Sequence, residues 1–70
     1  MKTSEIIFYI EESAEGGFEA RALGQPIFTD GESVEELKAN IKDAVRCHFE
    51  ESEMPKIITL HYVREEALAL

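Results

Sequence analysis

One stretch of this chain repeats its apolar residues at helical spacing, and every other apolar run reads as a strand. A single helix must therefore serve a whole sheet. The helix announces itself at Ser33-Val34-Glu35-Glu36, the spacing of a capping box in which Ser33 accepts from the Glu36 amide and Glu36 reaches back to Ser33. At about 100° per residue, Val34, Leu37, Ile41, Ala44, Val45 and His48 fall within one arc, with Phe49 at its edge. The spacing predicts a helix from Val34 to about residue 51, ahead of Pro55, which cannot donate a helical amide bond.

Around this helix lie four strand-like runs. Residues 5–12 carry Ile6, Ile7, Phe8, Tyr9 and Ile10, a β-branched and aromatic run apolar on both faces. Gly16 and Gly17 follow and supply the positive φ of a hairpin. Residues 18–23 alternate, with Phe18, Ala20 and Ala22 on one side and Glu19 and Arg21 on the other. After Gly24-Gln25-Pro26, residues 27–29 make a short third strand, and Gly31 is expected at positive φ ahead of the cap. Residues 57–63 form a fourth, with Ile58, Leu60 and Tyr62 on one side and Ile57, Thr59, His61 and Val63 on the other. The order β-β-β-α-β predicts an α+β fold, a four-stranded mixed sheet with one helix on one face. Residues 1–70 read as one domain, with its core over about 5–63 and a helix-prone tail at 64–70.

One helix covers one face of a sheet, yet the first and fourth strands are apolar on both. The uncovered face is expected to meet another polypeptide, whether a second copy or a foreign partner. Ile7 and Tyr9, facing away from the helix with Thr59 and His61, are the expected partner or dimer interface. Self-association fits the size of the chain, because a domain of 70 residues supplies only roughly 3–5 kcal/mol from one core. Its single cysteine, Cys47, closes no internal disulfide.

Charge narrows the partners. Seven basic residues against fifteen acidic give a net charge of −8, whereas phosphate binding requires clustered Lys and Arg. Direct nucleic-acid binding is not expected. No apolar run reaches the roughly 20 residues of a bilayer span, and the start Met1-Lys2-Thr3-Ser4-Glu5 is too polar for a leader. A cytoplasmic protein with no membrane contact is the expectation.

Catalytic chemistry has little to work with. Cys47 and His48 are adjacent on the helix and diverge by about 100°, and His61 lies on a distant strand, so no metal, cofactor or nucleophilic pair is expected. His48 falls within the apolar arc, where a packed or interfacial histidine is the expectation. The pairs Glu11-Glu12, Glu35-Glu36, Glu50-Glu51 and Glu65-Glu66 diverge as sequence neighbours do and read as solvated faces. Lys38, Lys42 and Arg46 recur every fourth residue as a basic ridge, which reads either as a docking strip for RNA or an acidic partner or as a solvated stripe; Glu35, Asp43 and Glu50 stand three or four positions away, so local pairing is the expectation.

The ordered set Gly16-Gly17-Phe18-Glu19-Ala20, Thr29-Asp30-Gly31-Glu32-Ser33-Val34-Glu35-Glu36-Leu37 and Asn40-Ile41-Lys42-Asp43-Ala44-Val45 resembles the HicB antitoxin family. The likeness spans roughly positions 5 to 51. It implies a trimmed ribonuclease-H-like sheet without that enzyme's catalytic carboxylates, in strand order 3-2-1-4 with the fourth strand parallel to the first. It also implies binding rather than catalysis, since typical members cap a small RNA-cleaving HicA toxin. Relatives of this kind add a helix-turn-helix or ribbon-helix-helix module, for which residues 64–70 are too short. They also carry a Pro-Gly-Cys-like segment where this chain has Gly24-Gln25-Pro26-Ile27-Phe28. The expected activity is a non-catalytic HicB-like antitoxin or regulatory protein-binding module that neutralises a HicA-like toxin. The alternative is a solitary dimeric adaptor that keeps the fold without toxin or DNA-binding module.

Overall fold

A computed structural model describes residues 5–70. The polar start at residues 1–4, read above against a leader, lies outside them. Strand β1 takes Glu5–Glu12, and a tight connection with Gly16 at φ 97° and Gly17 at φ 80° turns it into β2, Phe18–Ala22. Strand β3 is Phe28–Gly31, helix α1 is Val34–His48, a 3-10 turn occupies Glu51–Glu53, and β4 is Ile57–Tyr62. The sheet order is β3-β2-β1-β4, antiparallel except that β4 runs parallel to β1. This is the α+β architecture expected from the sequence, in the strand order implied by the resemblance noted above.

Period-two alternation places Ile6, Phe8 and Ile10 of β1 beneath the helix with Ala20 and Ala22 of β2. From above, Leu37, Ile41 and Val45 complete the core, each at most 2% exposed. The helix begins as its cap dictates, Ser33 Oγ accepting from the Glu36 amide at 3.1 Å. Among the described residues the Glu36 carboxylate makes no return bond, so one arm of the box operates. Replacing Ser33 with alanine is expected to cost about 1 kcal/mol in a urea melt.

Several boundaries differ from the sequence reading. The helix stops at His48 rather than near residue 51. Phe49 leaves helical geometry at φ −104°, ψ 146° and packs against the core, its amide still bonded to the Val45 carbonyl. Burial of that ring ends the helix, well before Pro55. Strand β3 starts one residue later and runs to Gly31, because Ile27 is held in a turn whose amide donates to the Gln25 carbonyl at 2.8 Å. Strands β2 and β4 each end one residue earlier than read. The tail at 64–70 adopts no helix.

Gly31 has no positive φ, contrary to the sequence expectation. It is glycine because a Cβ there would stand 2.5 Å from the Leu37 amide nitrogen and 2.7 Å from its Cα. The helix backbone lies directly on β3. Gly31→Ala therefore overpacks a backbone contact that no rotamer change relieves, and a loss of about 1–3 kcal/mol is expected from thermal melting.

This close approach also decides where the helix sits across the sheet. Small inner residues, Ala20, Ala22 and Gly31, admit α1 over β2 and β3, where Asn40 Nδ2 also donates to the Asp30 carbonyl at 2.7 Å. The bulky inner residues of β4 do not. Ile58 and Leu60 stay half-buried, and Tyr62 is 48% exposed.

Candidate functional site

The sheet face opposite the helix carries the odd-numbered residues of β1, and cross-strand register fixes what stands beside each. Ile7 pairs with Thr59 of β4, and Leu23, just past β2, donates its amide to the Ile7 carbonyl at 2.9 Å. The next row runs His61, Tyr9, Arg21, Phe28. Tyr9 and His61 lie with ring centroids 4.9 Å apart and planes inclined by 33°, an offset aromatic contact. The following row is acidic, Glu11 paired with Glu19 and Glu19 with Asp30.

The structure thus brings Ile7, Tyr9, Thr59 and His61 onto one surface. Ile7, Tyr9 and Thr59 are half-buried, and His61 is exposed. Thr59 Oγ1 donates to the Glu5 carboxylate. Three residues that the sequence reading did not single out enlarge the patch: Leu23, Phe28 and Ile57, exposed by 43%, 63% and 58%. Phe28 was legible in principle as the outward partner of Arg21, but only once the β2–β3 register is known.

Charge on this face is one-sided. Among the described residues, Glu5, Glu11, Glu19 and Asp30 stand against Arg21, whose guanidinium reaches Glu11 at 3.8 Å with both side chains more than half exposed. Such a pair contributes about 0–1 kcal/mol and leaves the acidic row largely uncompensated.

The cations gather elsewhere. Lys38 and Lys42 flank a hollow of about 220 Å³ between α1 and β4, walled by Ile41, Ile58 and Leu60. Lys42, Arg46 and Lys56 flank its continuation past Val45, Phe49 and Met54. The local pairing read from sequence for this ridge is not formed: among the described residues, Arg21 to Glu11 is the ion pair present. His48 is likewise exposed rather than packed, its Nε2 lying 3.1 Å from Gln25 Oε1 and its ring edge-on to Phe49. Cys47 is an exposed free thiol. Among the described residues, no three His, Cys, Asp or Glu side chains converge as a metal-holding group. No helix among them is long and apolar enough to cross a membrane.

Comparison with known proteins places this chain in a family. A UPF0150 protein of Archaeoglobus fulgidus is 55% identical over 56 residues, which cover 80% of this chain and 83% of the relative. The chain belongs to the UPF0150 family. A second UPF0150 protein, from Thermotoga maritima, is 41% identical over 66 residues, covering 94% of this chain and 93% of its own. The family thus has archaeal and bacterial members of about this length. No family model matches the chain, and no solved structure matches it.

Proposed function

We propose that this UPF0150 member is a non-catalytic, HicB-like protein-binding module that neutralises a small, basic, HicA-like toxin with the open face of its sheet. The observation that carries the reading is the composition of that face, apolar residues Ile7, Tyr9, Leu23 and Phe28 beside an acidic row of Glu11, Glu19 and Asp30. A protein that cleaves RNA must present cations to phosphate. An acidic partner with apolar anchors competes for those cations and occludes the site, with the aromatic side chains supplying most of the affinity. The resemblance of residues 5 to 51 to HicB antitoxins points the same way.

The test is RNA cleavage by a HicA-like toxin titrated with this protein. One equivalent is expected to stop cleavage. Persistent cleavage at excess, together with no complex by gel filtration, contradicts the reading and favours a solitary adaptor. Acid-to-base attraction also predicts salt-sensitive encounter. Raising ionic strength from about 10 to about 150 mM shortens the screening length from roughly 30 to 8 Å, and stopped-flow mixing is expected to show association slowed by about tenfold.

A further inference from the structure

Four strands at a spacing of about 4.8 Å put the outer two about 14 Å apart, and a helix with its side chains is about 10–12 Å across. One helix leaves part of such a sheet without a roof. Helix α1 takes the β3 side, where Gly31 admits its backbone and Asn40 bonds to the Asp30 carbonyl. Packed helices keep their axes about 8–10 Å apart, which is two strand spacings, so a second helix beside α1 would rest over β1 and β4. Among the described residues the chain supplies no second α-helix. The vacant place is a trough: half-buried Ile58 and Leu60 of β4 are its floor, and Ile41 and Val45 are its α1 wall. It comprises the hollow of about 220 Å³ and a continuation of about 560 Å³ past Phe49 and Met54.

Charge says what kind of helix would fit. Lys38, Lys42 and Arg46 stand on successive turns of α1 along the trough, and Lys56 flanks its far end. These are four of the seven basic residues of a chain with net charge −8. Among the described residues, none of the four is within ion-pair distance of a carboxylate. Glu51 also lines the far end, so the excess of positive charge lies along Lys38 to Arg46. Single-stranded nucleic acid is held by aromatic platforms as well as cations, whereas these walls are aliphatic apart from Phe49. The chain's own residues 64–70 are poorly suited to fold back into the trough, since they leave β4 without a glycine or proline to reverse them, and Glu65 and Glu66 share a hollow with Glu11 and Glu12.

We propose that the α1–β4 trough receives an acidic amphipathic helix of a foreign protein, laid alongside α1. Its apolar stripe rests on Ile41, Ile58 and Leu60, the usual way such a helix enters a groove. Carboxylates recurring every fourth residue on its flank match the Lys38, Lys42 and Arg46 ridge, which recurs at the same interval over about 12 Å of helix. The trough is opposite in sign to the open sheet face. A basic partner on that face and an acidic one beside α1 therefore occupy separate surfaces and can be held together.

Two labelled synthetic peptides of about 14 residues, or four helical turns, are the probes. Both carry leucines at helical spacing on one face, flanked by glutamates in one peptide and by lysines in the other. Fluorescence anisotropy at low salt is expected to show the acidic peptide bound at least about tenfold more tightly than the basic one. Lys38→Glu/Lys42→Glu changes two exposed side chains and is expected to invert that order while leaving the urea melt in place. Isoleucine δ-methyl NMR is expected to show peptide contacts at Ile41 and Ile58 and none at Ile7. Equal or absent binding of the two peptides, an order that survives the charge reversal, or contacts at Ile7 overturns the proposal. So does a uridine-rich RNA oligonucleotide that binds the trough more tightly than the acidic peptide, or contact between two copies of the chain at Ile41 and Ile58 in a mixed-label sample. Neither substitution lies on the open face, so any of these results leaves toxin capture there to be judged by its own titration.

Discussion

Phe8→Ala is expected to leave the chain largely unfolded at room temperature. Phe8 is fully buried on the inner face of β1, the strand that pairs with both β2 and β4. Its ring fills the space between Ala22, its antiparallel neighbour, and Leu60, its parallel one, beneath the helix. Removing it deletes the largest side chain of the core and opens a cavity that the small residues Ala20 and Ala22 cannot collapse to fill. Phe-to-Ala changes in such sites cost about 3–5 kcal/mol, which equals the roughly 3–5 kcal/mol that one core supplies at this size. Circular dichroism in urea reads the result directly: a transition displaced to zero denaturant is expected, and a midpoint like that of wild type contradicts the packing described. Conservative Phe8→Leu retains most of the volume and is expected to melt cooperatively with a smaller loss.

The second large effect separates binding from stability. Tyr9 and Phe28 point away from the core, flanking Arg21 in one cross-strand row, so Tyr9→Asp/Phe28→Asp adds charge where solvent already reaches. The melting transition is expected to move little. Affinity for a basic toxin is expected to fall by more than about a hundredfold, because each aromatic anchor at the centre of an interface contributes about 2 kcal/mol or more. New carboxylates do not rescue the loss through attraction to a basic partner, since the acidic row at Glu11, Glu19 and Asp30 already provides that and lacks apolar contact. Calorimetric titration alongside a thermal melt distinguishes the outcomes. Lost binding with an intact melt supports the open face as the contact surface, and unchanged binding removes it.

Most of the architecture was legible because it depends on short-range rules. Alternation at Phe18, Ala20 and Ala22 and the parity of Ile6, Phe8 and Ile10 fix which side of each strand is inward. Ser33 marks the helix start by local hydrogen bonding alone. What escaped the sequence depends on contacts between distant segments. Gly31 looks like a turn glycine until Leu37 is seen 2.5 Å from its absent Cβ. Helical periodicity says which stripe of α1 is apolar, but not how far across the sheet the stripe is set down. Small residues in β2 and β3 and large ones in β4 decide that, and they leave Ile58, Leu60 and Tyr62 half bare.

The same limit applies to charge. Glu11, Glu19 and Asp30 are scattered in sequence and become a row only through the hairpin registers. Lys38, Lys42 and Arg46 have acids at helical spacing on either side, which suggests neutralisation, yet they turn toward the groove beside β4 instead. Spacing on an isolated helix weighs local pairs and says nothing of the edge strand nearby.

Isoleucine δ-methyl NMR on the complex with a basic HicA-like toxin measures which surface is engaged. Ile7 reports the open face, whereas Ile41 and Ile58 line the groove beside the helix. Binding through the open face predicts a large shift and contacts to the toxin at Ile7, with Ile41 and Ile58 little changed. Toxin contacts at Ile41 and Ile58 with an undisturbed Ile7 would contradict it.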